Sequence, residues 1–294
     1  MSTSTTENRE AIVAKALGSL GDIATLPEVT VRIIEVVEDP EGTANQLHEV
    51  IKRDPVLSSK ILKVVNSAFY GLPGQIANVD RAVVMLGLSA VKNIAIAASL
   101  GRMFRGKNVS GLIDPKAIWR HCVGVGVAAK KITEVAGDTA GGNEMFLAGL
   151  IHDLGLLVEL QAMPEKLSEV VEASKDGNGS FLQLEEQIIG ATHQNFGDGL
   201  TTKWKFPRHL RAAVSFHHTP ENLTSELARL GMILQCADTL CCLEGVGFDL
   251  TAANQEFTET LLGTIGVTVD QLAQVRDEMG PEIEEAEIVL GAKH

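Results

Sequence analysis

The strongest constraint on this chain is that its apolar residues recur at helical spacing almost from end to end. No run alternates in the manner of a strand. The punctuation between the apolar stretches is also helical. "TANQLHEVIKRD" (43–54) opens with Thr43 and carries Gln46 three residues on, the pattern of a capping box. "DPVLSSKILKVVNSAF" (54–69) begins with Asp54 as N-cap and Pro55 at the first helical position, and "IDPKAIWRHCVGVGVAAKKITEVAG" (113–137) repeats the device. Further helices are predicted over 26–39, 143–164, 165–175, 180–194, 207–217, 225–243, 252–263, 268–279 and 281–289. Residues 79–104 read as two helices meeting near Gly87, "YGLPG" (70–74) as a break, and residues 1–7 as disordered. Aromatic residues make up only 4% of the chain, so the core must be built mainly from Leu, Ile, Val and Ala, which suits packed helices. The expected fold is all α.

With 294 residues the chain is long enough for one large domain or two modest ones. The segment "RGKNVSGLIDP" (105–115) is the best boundary. It divides an N-terminal helical lobe (20–108) from a second lobe (109–245). A tail and first helix (1–19) precede them and an acidic extension (246–294) follows.

Net charge is −13, unevenly placed. From Glu244 onward there are 11 acidic and 2 basic residues, a net of −9, whereas Glu49–Lys107 holds 9 basic and 3 acidic, a net of +6. Such asymmetry fits a surface for an acidic partner, or solvated helix faces and attraction between the lobes. Overall acidity and few aromatics argue against a dedicated nucleic-acid binder. The cysteines Cys122, Cys236, Cys241 and Cys242 form no CxxC pair and no disulfide framework, which points to a reducing compartment. The polar start "MSTSTTENRE" has no signal-peptide pattern, and no apolar run reaches the roughly 18 residues of a membrane span. A cytoplasmic location without membrane attachment is the expectation.

The second lobe holds seven candidate metal ligands. His121 lies mid-helix, His152 and Asp153 in "FLAGLIHDLGLL" (146–157), and His193 near the end of a later helix. His217 and His218 end another helix, and Asp238 sits in "QCADTL". Any one of these, alone, reads as an ordinary core residue. Adjacent residues on a helix diverge by about 100°, so His152 and Asp153 share an ion only if it lies between their directions. His121 and Asp238 complete such a site from neighbouring helices. His193, His217 and His218 form a second site or an outer shell. Imidazoles with carboxylates suit Fe, Mn, Zn or Ni, as one or two ions, rather than Ca. Cys122, beside His121, reads as core. Phosphate-binding glycine loops and GxSxG are missing.

The order His, His-Asp, His, His-His, Asp in successive helices resembles the HD superfamily of metal-dependent phosphohydrolases. In its cyclic-dinucleotide branch, the HD-GYP proteins, that series ligates two or three metals. The spacing from His193 to His217, 24 residues, is close to that branch; that from His152 to His193, 41 residues, is longer. The branch motif runs His-Asp-x-Gly-Lys, but "HDLGLL" puts Leu156 where the lysine would contact phosphate. "HHTPENLTSE" (217–226) follows where the branch has a Gly-Tyr-Pro loop. The N-terminal lobe is more specific. "LPEVTVRIIEVVEDPEGTANQLHEVIKRDPVLSSKILKVVNSAFYG" and "IANVDRAVVMLGLSAVKN" closely resemble the HDOD domain, the HD-related output domain of bacterial signalling proteins. "WRHCVGVGVAA" (119–129), "EEQIIGATHQNFGDGLTTKWKFP" (185–207) and "AVSFHHTPEN" (213–222) extend the match to roughly residues 20–245. The resemblance implies an all-helical fold with an HD-like second lobe. It implies a regulatory output or adaptor module that binds a protein partner or a nucleotide-type signal. No receiver, GGDEF-like or EAL-like segment is attached. No catalytic residue is assigned. Were the centre to act as a phosphodiesterase, His152 and Asp153 would be its catalytic pair.

Overall fold

The computed structural model describes residues 2–21, 26–67, 70–104, 112–139, 141–253 and 255–290. Among them there is no β-strand, and the chain is all α. The helices are α1 (Ser2–Ser19), α2 (Glu28–Glu38), α3 (Ala44–Ile51), α4 (Pro55–Val65), α5 (Val79–Leu86), α6 (Leu88–Leu100), α7 (Pro115–Val135) and α8 (Gly142–Ile151). They continue with α9 (Leu154–Ala162), α10 (Pro164–Lys175), α11 (Phe181–Ile188), α12 (His193–Lys203), α13 (Arg208–Phe216), α14 (Ser225–Leu243), α15 (Glu259–Ile265) and α16 (Val269–Leu290). A short 3-10 helix, Pro220–Asn222, precedes α14.

The local signals act as expected. Thr43 accepts from the Gln46 amide while Gln46 reaches back to the Thr43 N–H, closing the capping box of α3. Asp54 caps α4 by accepting from Leu57 N at 2.9 Å, with Pro55 first in the helix, and Asp114 caps α7 in the same way. Gly87, at φ +87°, supplies the turn between α5 and α6.

Five boundaries differ. The helix predicted over 252–263 begins only at Glu259, capped by Thr258, with 251–253 and 255–258 non-helical. Residues 2–7 belong to α1, which packs across α9 and α12 instead of trailing as a disordered tail. The predicted helix over 143–164 is two helices, broken at His152-Asp153, where Asp153 leaves helical geometry (φ −102°, ψ 19°). The predicted helix over 180–194 stops at Ile188. His193 therefore opens α12 rather than closing the helix before it. The segments 268–279 and 281–289 are one helix with Pro281 inside it. Leu272, Val275, Met279, Ile283 and Leu290 stay buried along one face, and that packing carries the helix past the proline.

Helix α7 runs through the second lobe, flanked by α8, α14 and α16. Helices α2, α4 and α5 surround α6, which joins the lobes by packing on α8. The proposed boundary segment 105–115 lies over residues 105–111 outside the described residues. The acidic α16 pairs mainly with α7: Lys131 bonds Glu282 at 2.7 Å and Glu278 at 3.0 Å, and Arg120 bonds Glu287 at 2.6 Å. The basic stretch answers its own neighbours, with Lys92 on Glu38 at 3.0 Å and Lys52 on Glu49. The charge asymmetry is thus partly consumed within each lobe. The stretch Gly142–Ala162 is apolar enough by composition for a membrane span, but 89% of it is buried and it is broken at residues 152–153.

Candidate metal centre

All seven predicted ligands converge in one cluster in the second lobe. His121, His152, Asp153, His193, His217 and Asp238 are 0% exposed, and His218 is 7% exposed. Two backbone contacts bring their helices this close. A Cβ on Gly149 would lie 2.5 Å from Gly126 Cα, so α8 touches α7 backbone to backbone. A Cβ on Gly155 would lie 1.8 Å from the His193 carbonyl oxygen, so the start of α9 sits on the start of α12.

Two histidines are helix C-caps. His152 Nδ1 meets the Gly149 carbonyl at 2.7 Å, and His217 Nδ1 meets the Val214 carbonyl at 2.8 Å. Each ring N–H thus satisfies a carbonyl that the helix end leaves free. His121 Nδ1 bonds the Val246 carbonyl at 3.1 Å, and His193 Nδ1 bonds the Glu185 carboxylate at 2.9 and 3.0 Å. With Nδ1 donating to an oxygen in all four, Nε2 is the lone-pair nitrogen of the neutral ring, the form a metal takes. All four Nε2 atoms point inward.

Asp153 stands between two groups of them. Its Oδ2 faces His152 Nε2 at 3.2 Å and His121 Nε2 at 3.7 Å. Its Oδ1 faces His193 Nε2 at 3.4 Å and His217 Nε2 at 3.5 Å. The break at residues 152–153 makes this possible, because it frees Asp153 from the helical divergence that the sequence implies. Asp238 Oδ1 lies 3.0 Å from His121 Nε2 and 3.9 Å from His152 Nε2, while its Oδ2 lies 3.6 Å from His218 Nδ1. His193 Nε2 also faces His217 Nε2 at 3.2 Å and His218 Nε2 at 3.1 Å. Lone pair meets lone pair between His193 and His217, an arrangement that calls for a shared cation.

The electrostatics agree. Burial alone would raise Asp153, but the imidazoles of His152, His217 and His193 outweigh it and hold the carboxyl well below its usual range. Asp238 is likewise held down against burial by His121, His218 and His152. Burial pulls His152 down, yet the charges of Asp153 and Asp238 lift it from 6.5 to about 9. His217 and His218 are depressed, chiefly by burial. The His152 Nε2, both oxygens of Asp153 and Oδ2 of Asp238 have no hydrogen-bond partner. Buried carboxylates left so cost several kcal/mol unless a cation meets them. The donor set therefore fits a divalent transition metal.

Sequence reasoning missed the supporting shell. Glu185, on α11, orients His193 through its ring and its backbone N–H (3.1 Å). Glu159, on α9, lies buried near Glu185. Burial pushes both carboxyls well above the ordinary range; Glu185 adds to the rise at Glu159, whereas a hydrogen bond from Glu159 works against the rise at Glu185. Gln255 bonds His218 Nδ1 at 2.7 Å, and Cys242 Sγ lies 3.6 Å from Asp238 Oδ1. Cys242 is four residues from Asp238, a same-face spacing readable in the sequence. Glu185 and Gln255 carry no such signal, since both reach the centre across loops. Leu156, at the position of the resembled motif's lysine, is 0% exposed and part of the apolar core.

The HDOD domain model matches residues 23–220. That span contains six of the seven cluster residues; Asp238 lies beyond it. An HDOD domain protein of unknown function from Geobacter sulfurreducens is similar in structure, with a TM-score of 0.78 and 22% identity over 98% of this chain and 99% of that one. A candidate phosphohydrolase from Shewanella amazonensis SB2B gives 0.73 and 23% over 96% and 98%. A candidate signal-transduction protein from Marinobacter aquaeolei VT8 gives 0.75 and 21% over 97% of this chain and 66% of that one. At these identities the likeness is one of fold. An uncharacterized protein of Treponema pallidum (strain Nichols) is 26% identical over 207 residues, which are 70% of this chain. The match spans only 40% of that relative's length.

Proposed function

This chain belongs to the HDOD family, and from that premise we propose that it is a non-catalytic output or adaptor module of bacterial signal transduction. Its cytoplasmic partner is a signalling protein, or its input a nucleotide-type signal, and its second lobe is stabilised by one or two transition-metal ions held by the histidine and aspartate cluster. The observation that carries this reading is the sealing of the centre. Six of its seven residues are 0% exposed, and Leu156 is equally buried, so no cationic side chain stands where a phosphate would need one. A centre closed in this way favours holding the fold in one state over turning over a substrate. A bound ion supplies positive charge to Asp153 and Asp238. His121, His152, Asp153 and Asp238 hold one ion, and His193, His217 and His218, sharing Asp153, hold a second.

The rival reading is a metal-dependent phosphohydrolase. Its support is the carboxylate of Asp153 set between two imidazole groups, since paired ions flanking one carboxylate are a recurring arrangement in phosphoester hydrolysis. The test is a turnover assay of Mn- and Fe-loaded protein with cyclic dinucleotides and phosphomonoesters. The adaptor reading predicts turnover far below roughly 1 s⁻¹, the low end of ordinary enzyme rates. Turnover at or above that level, lost in His152→Ala, would establish the rival.

A further inference from the structure

His218 differs from the rest of the cluster. It alone has any exposed surface, 7% of the residue with its side chain 1% exposed, and it alone has its Nδ1 occupied by a side-chain amide. Gln255 Nε2 donates to that nitrogen at 2.7 Å, and the Gln255 carbonyl accepts from Thr239 Oγ1 at 3.1 Å. This second bond fixes which end of the amide faces the ring. Gln255 is half-buried and sits in the irregular segment between α14 and α15, past the region matched by the family model. It borders a cavity of about 260 Å³ lined also by Ser180, Phe181, Leu182, His218, Thr219 and Thr251.

We propose that this cavity is the mouth through which the centre exchanges metal ions and water with solvent, and that Gln255 is its latch. The volume falls below the roughly 300–1,000 Å³ of pockets that enclose drug-sized ligands, so a nucleotide does not fit. The lining offers hydroxyls, an amide and an imidazole but no lysine or arginine, so nothing in it draws a phosphate. While Gln255 is engaged, Nδ1 accepts its N–H, the proton of the neutral ring sits on Nε2, and that Nε2–H points at His193 Nε2 3.1 Å away, closed to a metal. Release of the amide frees Nδ1, which already lies 3.6 Å from the unpartnered Oδ2 of Asp238. Opening the latch therefore uncovers the outermost ring and lets its proton pass to Nδ1, which can donate to that carboxylate while Nε2 is left with a lone pair for a metal.

The ion traffic rests on the metal reading of the cluster, whereas the latch itself is tested without metal. Metal-free full-length protein is treated with diethyl pyrocarbonate, and acylation of His218 is followed by mass spectrometry. In Gln255→Ala the rate rises roughly tenfold, the scale set by losing one good hydrogen bond. Thr239→Val, which removes only the hydroxyl holding the amide, raises it less. Acylation of His218 at the wild-type rate in both variants overturns the latch. Cobalt uptake and its stripping by EDTA are then timed in the same proteins, and both should be faster in Gln255→Ala. Faster acylation with unchanged ion kinetics overturns the mouth. A wild-type protein that takes up no cobalt refutes the metal reading, while the acylation rates still decide the latch.

Discussion

In the N-terminal lobe, polar side chains finish helix ends in view of solvent. Thr43, Asp54 and Asn78 each accept from a backbone N–H within three residues, and Asn66 ties the end of α4 to Ile76 through both amide atoms. In the second lobe the same task falls to groups turned inward. His152 and His217 cap α8 and α13 with one ring nitrogen and aim the other at Asp153. The first arrangement is complete in itself. The second leaves both oxygens of Asp153, one oxygen of Asp238 and an imidazole nitrogen unsatisfied, with burial magnifying the cost. One lobe is thus held by local chemistry, while the other gathers groups that could hold a metal ion and that, on the proposed reading, a cation completes.

The largest expected effect comes from forcing the second lobe apart. Gly155→Ala puts a methyl group onto the His193 carbonyl, a backbone atom that cannot swing away. It should cost about 3 kcal/mol or more, the upper end of overpacking penalties, read as a lowered denaturant midpoint. A change within about 0.5 kcal/mol would show that α9 and α12 are not packed as described.

Glu185→Gln keeps the shape of the side chain but replaces the carboxyl group that accepts from both the ring and the backbone N–H of His193. Loss of such an outer partner typically lowers metal affinity by roughly 10–100-fold. Isothermal titration with Mn or Zn should show that drop with the circular dichroism spectrum unchanged. Equal affinity in both proteins would mean that His193 is no ligand.

The pH dependence of metal-free protein follows from opposed shifts. His152 is raised to about 9, so its contribution is full below 6.5, the unfolded value, and is lost as pH rises through 9. His217 and His218 are depressed, so theirs is present above 6.5 and lost as pH falls. Asp153 and Asp238 add a further loss only below about 3.8. Glu159 and Glu185, raised by burial, add a decline that begins above 4.5, so stability should fall from neutral pH toward pH 9, and added metal should remove the part due to His152, because a ligating His152 is already neutral. Thermal melts from pH 5 to 9 would contradict this if they rose steadily toward pH 9 without metal.

The smallest effect belongs to the N-terminal lobe. Asn66→Ala removes hydrogen bonds at 2.6–2.8 Å to Leu62 and Ile76 and should cost about 1–2 kcal/mol. It should leave metal binding untouched. Unchanged stability together with loss of a partner in a binding assay would make Asn66 a recognition residue instead.

The same contrast explains what could be read from the sequence. Caps at Thr43, Asp54 and Asp114 and the turn at Gly87 depend on residues no more than four apart, so the sequence displays them. The seven cluster residues were legible as a series because they fall on or at the ends of successive helices. Their partition around Asp153 was not, because the break at residues 152–153 lies inside an uninterrupted apolar run and is imposed by packing on α12. His193 was misplaced for a related reason: "IIGATH" continues the helical pattern, while the Gly190 turn (φ +90°) ends it. Glu185 and Gln255 act through tertiary contacts alone.

The central claim is that a cation completes the second lobe, and metal analysis coupled to thermal melts tests it most directly. Protein purified without chelator should carry about one or two transition-metal ions per chain. EDTA should lower its melting temperature, and Mn or Fe should restore it. A ligand at a hundredfold excess over its dissociation constant stabilises by about 2.7 kcal/mol. Well under one ion per chain, with a melting temperature indifferent to both EDTA and added metal, would contradict the account and leave the cluster as a set of buried side chains bonded only to one another.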